Sequence, residues 1–152
     1  MELRLTQDGT PTLFHPGYGE GYRPRQGALL QARRPYLEKT LTHLHPAPRV
    51  LEVGFGLGVN FRVALESALL RGVRLSYLAV EREPLPREVL AQILLPLPRA
   101  EEVFAALLKA WPTSRFLGSW GELRLLFLDV REAVLPSCWA TAVYLDPFSP
   151  RA

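Results

Sequence analysis

Arg49-Val50-Leu51-Glu52-Val53-Gly54-Phe55-Gly56-Leu57-Gly58-Val59-Asn60 is the stretch that decides the fold. Its first five residues form a short, largely apolar run, which predicts a buried strand. Alternating glycines close that run. From Asn60 to Arg71, Phe61, Ala64, Leu65, Ala68 and Leu69 then fall at helical spacing for burial against a sheet. The same alternation continues outward. Leu75 to Val80 predicts a second buried strand, and Leu123 to Leu128 and Ala142 to Leu145 a third and a fourth. Pro86 to Leu95 and Ala100 to Trp111 read as helices separated by Pro96 and Pro98. Continuous apolar strands alternating with helices predict a parallel sheet covered on both faces, a doubly wound, Rossmann-like α/β fold.

Upstream, Leu3-Arg4-Leu5 and Thr12-Leu13-Phe14 predict two short strands in a hairpin around Asp8-Gly9. Gly27 to Leu44 predicts a helix that Pro35 kinks or breaks. The organisation expected is an amino-terminal extension over 1–48 and a cofactor-binding unit over 49–152, packed as one body.

Composition narrows the class. The chain has 152 residues, 48% of them apolar and 22% charged, which excludes wholesale disorder. Cys138 is the only cysteine, so neither a disulfide framework nor a cysteine-based zinc cluster can form within the chain. His43 and His45 have no carboxylate cluster around them in the sequence and read as a solvated loop end; no metal site is expected. A net charge of +3 permits a polyanionic partner without establishing one. Arg accounts for all the cations except Lys39 and Lys109, Asn60 is the only Asn, and there are 14 Pro. That pattern fits a thermophile, although GC-rich coding also favours Arg over Lys. No signal peptide or membrane span is visible, so a cytoplasmic protein is the default expectation.

In a doubly wound sheet the ligand sits at the carboxyl ends of the strands. Here the first strand runs through Glu52 into the glycines, the second ends in Glu81, the third in Asp129 and the fourth in Asp146-Pro147-Phe148. The glycine run lacks the third glycine of a dinucleotide fingerprint and the Gly-Lys-Ser/Thr of a phosphate loop. What remains is Glu-x-Gly-x-Gly-x-Gly, whose backbone a ligand can approach closely. An acid beside such a loop suits an ammonium or sulfonium group rather than a pyrophosphate. Glu81 follows Gly58 by 23 residues, about where a carboxylate accepts from ribose hydroxyls. Adenosine with a cationic tail is S-adenosylmethionine, which is the expected cofactor; another nucleotide, or a purely structural loop, are the alternatives. Asp129 reads equally as a cap on a following helical turn at Val130-Arg131-Glu132-Ala133 and as a partner for the adenine amine. Asp146 is a candidate catalytic residue, with a turn-forming Asp before Pro as the bland alternative.

These residues resemble a known family. Glu52 to Phe61, together with Leu145-Asp146-Pro147-Phe148-Ser149-Pro150, is similar to the methyltransferase domain of MnmC, the tRNA 5-methylaminomethyl-2-thiouridine biosynthesis methyltransferase, which also occurs without its FAD oxidase domain. Thr6 to Phe14 resembles the family's opening hairpin, Tyr22 with Gly27-Ala28-Leu29 its next segment, and Val80 to Leu85 its strand-two exit. Arg23-Pro24 and Gln31 depart from the family pattern. The resemblance implies a class I S-adenosylmethionine-dependent methyltransferase. Its cofactor site would use Glu52, Gly54, Phe55, Gly56, Gly58, Asn60, Glu81, Asp129 and Tyr22. Asp146 would serve the acceptor amine, and Pro147 and Phe148 would frame the wobble base. The implied partner is tRNA, with Arg23, Arg25, Arg33 and Arg34 either contacting phosphates or forming an ordinary solvated face. A methyltransferase acting on a small-molecule amine, and a non-catalytic remnant that binds the cofactor, are the alternatives. The family's sheet has seven strands against the four read here, so the carboxyl-terminal strands are expected to be missing. The fourth strand would then present an apolar edge prone to self-association.

Overall fold

The computed structural model describes residues 2–5, 11–15, 20–21 and 36–145. Near the amino terminus, β1 (Glu2–Leu5), β2 (Pro11–His15) and β3 (Glu20–Gly21) form an antiparallel sheet in the order β1-β2-β3. Glu2 pairs with Phe14 and Leu5 with Pro11, the register expected of a hairpin closing around Asp8-Gly9, which itself lies outside the described residues. The helix expected from Gly27 is described only from Tyr36 onward. There the chain makes a short π turn and then irregular turns to Leu44.

The main sheet holds β4 (Arg49–Val53), β5 (Leu75–Val80), β6 (Arg115–Gly118), β7 (Gly121–Leu126) and β8 (Ala142–Leu145), in the order β6-β7-β5-β4-β8. β4, β5, β7 and β8 run parallel, and β6 is antiparallel to β7. The β6–β7 hairpin was not expected from the sequence, and β7 starts two residues earlier than the strand read there. Strand order reverses at β4: the chain steps outward through β5 to β7 and then returns to β4's other side as β8. The carboxyl ends of β4 and β8 therefore meet at the reversal, where ligands of such sheets bind.

Three helices are described: α1 (Val59–Arg71), α2 (Arg87–Gln92) and α3 (Pro98–Leu108). α1 is buried along most of its length, and Phe61 packs edge-on against Tyr77 of β5 and Trp120 of the turn before β7. α3 starts with Pro98, where the missing N–H costs nothing. Its next two amides, Arg99 N and Ala100 N, are capped by the Glu66 carboxylate of α1 at 2.9 and 2.8 Å. An acid on one helix thus satisfies the orphan donors of another.

This face of the sheet carries Val50, Tyr77, Leu123, Phe116 and Tyr144, all buried. On the opposite face Leu78 and Val80 are buried, whereas Val143 and Leu145 at the β8 edge are 51% and 62% exposed. The crossover from β7 to β8 ties back to this sheet through Arg49, whose Nε donates to the Trp139 carbonyl and whose amide donates to Thr141 Oγ1. Among the described residues β8 pairs with β4 alone. No described helix is long and apolar enough to cross a membrane.

Candidate active site

At the carboxyl end of β4 the backbone turns through Gly54, Gly56 and Gly58, with φ of 90°, 55° and 74°. Side chains other than glycine rarely take these values. The glycines nevertheless differ in what they serve. A Cβ on Gly58 would lie 3.0 Å from the Phe55 ring and 3.2 Å from Phe104, so that position is glycine for packing at the start of α1. Gly54 continues the ladder beyond β4, its amide donating to the Val80 carbonyl at 2.9 Å.

Gly56 binds the acid expected to face it. Its amide donates to Glu81 Oε1 at 2.8 Å, and the Glu83 amide donates to Glu81 Oε2 at 3.0 Å. Each carboxylate oxygen keeps a second lone pair for a further donor. Burial pushes the Glu81 carboxyl above its ordinary range, against the lowering effect of these amides. Its own amide donates to the Leu126 carbonyl, fixing the exit of β5 against the end of β7.

Glu52 lies in β4 just before the loop. It is fully buried on the helix-covered face, where Asn60 Nδ2 donates to Oε2 and the Tyr77 hydroxyl donates to Oε1, both at 2.7 Å. Asn60 is equally buried, so in this arrangement it orients Glu52. Phe55 turns its ring into the core, 5.9 Å from Trp111 and 6.1 Å from Phe61, and leaves its main chain to the loop. Asp129 caps the 3-10 turn Val130–Glu132, accepting from the Arg131 amide at 2.9 Å. The Arg131 guanidinium grips both its oxygens, at 3.0 and 2.7 Å. Those hydrogen bonds hold the Asp129 carboxyl well below the usual carboxylate range. The capping interaction read from the sequence is present, on the same edge of the sheet as Glu81.

Tyr22, Asp146, Pro147 and Phe148 lie outside the described residues, as do Arg23, Arg25, Arg33 and Arg34. Val53 pairs in register with Leu145, however, so the residues following each of these strands start from neighbouring positions. Among the described residues no three His, Cys, Asp or Glu are grouped to hold a metal ion.

Two side chains beside the loop escaped the sequence reading. Tyr77 lies in the apolar run of β5, and the need of a buried tyrosine hydroxyl for a partner was its signal. Arg62 had none, being one cation on a helix otherwise read by its apolar spacing. It is fully buried, donating to the carbonyls of Leu57 at 2.6 Å and Ile93 at 2.5 Å and to Glu101 Oε1 at 3.0 Å. Its guanidinium also lies 4.2 Å over the Phe104 ring. Arg62 thus ties the last turn of the glycine loop to the α2–α3 connection. Arg62→Met should cost about 3–5 kcal/mol of stability, because Glu101 and two carbonyls lose their donor together. Urea unfolding measures this, and a loss under about 1 kcal/mol would show that the network contributes little.

Comparison with known proteins fits this geometry. The bifunctional protein MnmC of Aromatoleum aromaticum, named for tRNA 5-methylaminomethyl-2-thiouridine biosynthesis, is 37% identical over 97% of this chain. Its counterpart in Methylibium petroleiphilum is 36% identical over the same share. The solved structure of MnmC2 from Aquifex aeolicus superposes with a TM-score of 0.77 at 30% identity, covering 98% of this chain. Over nearly its whole length this chain is therefore similar to part of an MnmC protein. It spans 25% and 24% of the two bifunctional MnmC proteins and 50% of the Aquifex MnmC2 chain. No family model matches it.

Proposed function

We propose that this chain binds S-adenosylmethionine at the Gly54–Gly58 loop and serves methyl transfer to the aminomethyl nitrogen of the tRNA wobble uridine, in the cytoplasm. The observation that carries the proposal is the bond from the Gly56 amide to Glu81. It sets an acid suited to ribose hydroxyls directly against a glycine loop at the point where strand order reverses. The names of the bifunctional relatives specify the modified nucleoside.

The residues present suit that cofactor. Gly54 and Gly56 keep the loop open to close approach, and the Glu81 carboxylate oxygens can accept further donors. Bound there, S-adenosylmethionine supplies an activated methyl group on a sulfonium leaving group. Asp129 would serve the adenine amine, and Tyr22 would contribute to the cofactor site. The acceptor is an alkylamine, whose pKa near about 10 leaves it protonated at neutral pH. Asp146 takes up that proton and holds the nitrogen lone pair in line with the methyl carbon. Pro147 and Phe148 frame the base, Phe148 by stacking on it. The pairing of Val53 with Leu145 supports this division of labour, since it starts the glycine loop and the Asp146 segment side by side.

Glu81→Ala should weaken cofactor binding by about 1–3 kcal/mol, the usual cost of removing hydrogen bonds to a charged acceptor. Titration calorimetry with S-adenosylmethionine and with an analogue lacking the ribose hydroxyls measures it. An equal loss for both ligands would give Glu81 another role. The raised Glu81 pKa also has a sign for stability. Its contribution to the unliganded fold is present below the ordinary carboxylate pKa and is lost as pH rises through the raised one. Glu81→Gln should remove that part of the pH dependence of thermal unfolding; an unchanged profile would contradict the shift.

A further inference from the structure

Trp111, between α3 and β6, is a core aromatic that meets the exits of three parallel strands. Its ring stacks on Phe55 of the loop after β4, with centroids 5.9 Å apart. Its Nε1 donates to the Leu85 carbonyl, in the segment after β5, at 2.9 Å. Phe127, which follows β7, meets it edge-on at 6.2 Å. Two of these neighbours lead directly to Glu81. Phe55 precedes Gly56, whose amide binds Glu81 Oε1, and Leu85 lies two residues after Glu83, whose amide binds Oε2. Pro84 joins Glu83 to Leu85, and its ring narrows the backbone freedom of Glu83 as well as its own. Holding the Leu85 carbonyl therefore restricts where the Glu83 amide can point. Both amides that orient the Glu81 carboxylate thus belong to segments anchored on one indole, which is only 8% exposed.

We propose that Trp111 is a positioning residue for cofactor binding: it fixes the Gly56 and Glu83 amides, and through them aims the Glu81 carboxylate at the ribose hydroxyls. This role rests on the reading of Glu81 as the ribose-binding acid. A carboxylate aimed before the ligand arrives costs no ordering on binding, so loosening its supports is felt as lost affinity for the groups it accepts. An aromatic that only filled the core would affect every ligand of the site alike. Trp111 acts on the ribose hydroxyls selectively.

Trp111→Phe in the full-length protein keeps an aromatic ring against Phe55 and removes the donor to Leu85. Binding is read by calorimetry at a temperature where melting curves show each variant folded. The dissociation constant for S-adenosylmethionine should rise about fivefold, the scale of one hydrogen bond, while that for an analogue lacking the ribose hydroxyls stays within about twofold of wild type. In a Glu81→Ala background the same substitution should change the S-adenosylmethionine constant by less than about twofold, because the group it orients is gone. Should Trp111→Phe not fold, Phe55→Leu removes the stacked ring, leaves Trp111 in place and is expected to give the same pattern. An equal loss for both ligands, a loss that persists beside Glu81→Ala, or no loss at all would overturn the role of Trp111 alone, provided that Glu81→Ala is itself selective for the ribose. If Glu81→Ala weakens both ligands equally, the reading of Glu81 falls and this role with it.

Discussion

Gly56→Val is expected to abolish S-adenosylmethionine binding, with a loss of at least about 100-fold in affinity. Two effects act together. At φ 55° a β-branched residue is strained, at a cost of about 1–3 kcal/mol for holding the native turn. If the turn relaxes instead, the Gly56 amide leaves Glu81, and the acid proposed for the ribose loses a donor that orients it. If it does not relax, two methyl groups stand where the ligand must approach. Gly58→Ala provides the contrast. Its Cβ would press on Phe55 and Phe104, so its cost should appear in thermal stability more than in affinity at temperatures where the variant is folded. Calorimetry and thermal melting separate the two. Wild-type affinity in Gly56→Val would remove the loop from the cofactor site.

Asp146→Ala should lower the rate of methyl transfer by about 100-fold or more while cofactor affinity stays within about threefold. General base catalysis by a positioned side chain contributes about 10²–10⁴ in rate, and an amine acceptor cannot react while it remains an ammonium. Loss of an interaction made only in the transition state lowers kcat without weakening ground-state binding of the cofactor. Single-turnover transfer at saturating tRNA and cofactor reads this directly. An unchanged rate would make Asp146 the turn-forming residue that its place before Pro147 also allows.

How far the sequence carried is clearest strand by strand. β4, β5 and β8 fall where the apolar runs fall, because turn residues or polar residues bound each run, although only β5 is buried almost throughout. β7 begins earlier than expected because Gly121 looks like a turn residue. In fact its backbone lies against the Leu75 carbonyl, and a Cβ there would come within 1.8 Å of that oxygen. Gly118 and Gly121 bracketing Ser119-Trp120 were the missed signal of the β6–β7 hairpin. At the site, spacing alone put Glu81 beside the glycine loop. Spacing could not show that Glu52 points into the core. That depends on Tyr77 and Asn60 arriving from a neighbouring strand and a following helix, and one-dimensional pattern does not encode such a meeting. Nor does spacing encode that the Phe55 ring joins Trp111 and Phe61 in the core.

The most direct test of the central claim is methyl transfer itself. Full-length protein is incubated with methyl-labelled S-adenosylmethionine and tRNA carrying 5-aminomethyl-2-thiouridine, and the digested nucleosides are identified by mass spectrometry. The expected result is label in 5-methylaminomethyl-2-thiouridine and in no other nucleoside. Unlabelled tRNA alongside a labelled free amine, or no transfer to either by a folded protein, would contradict it.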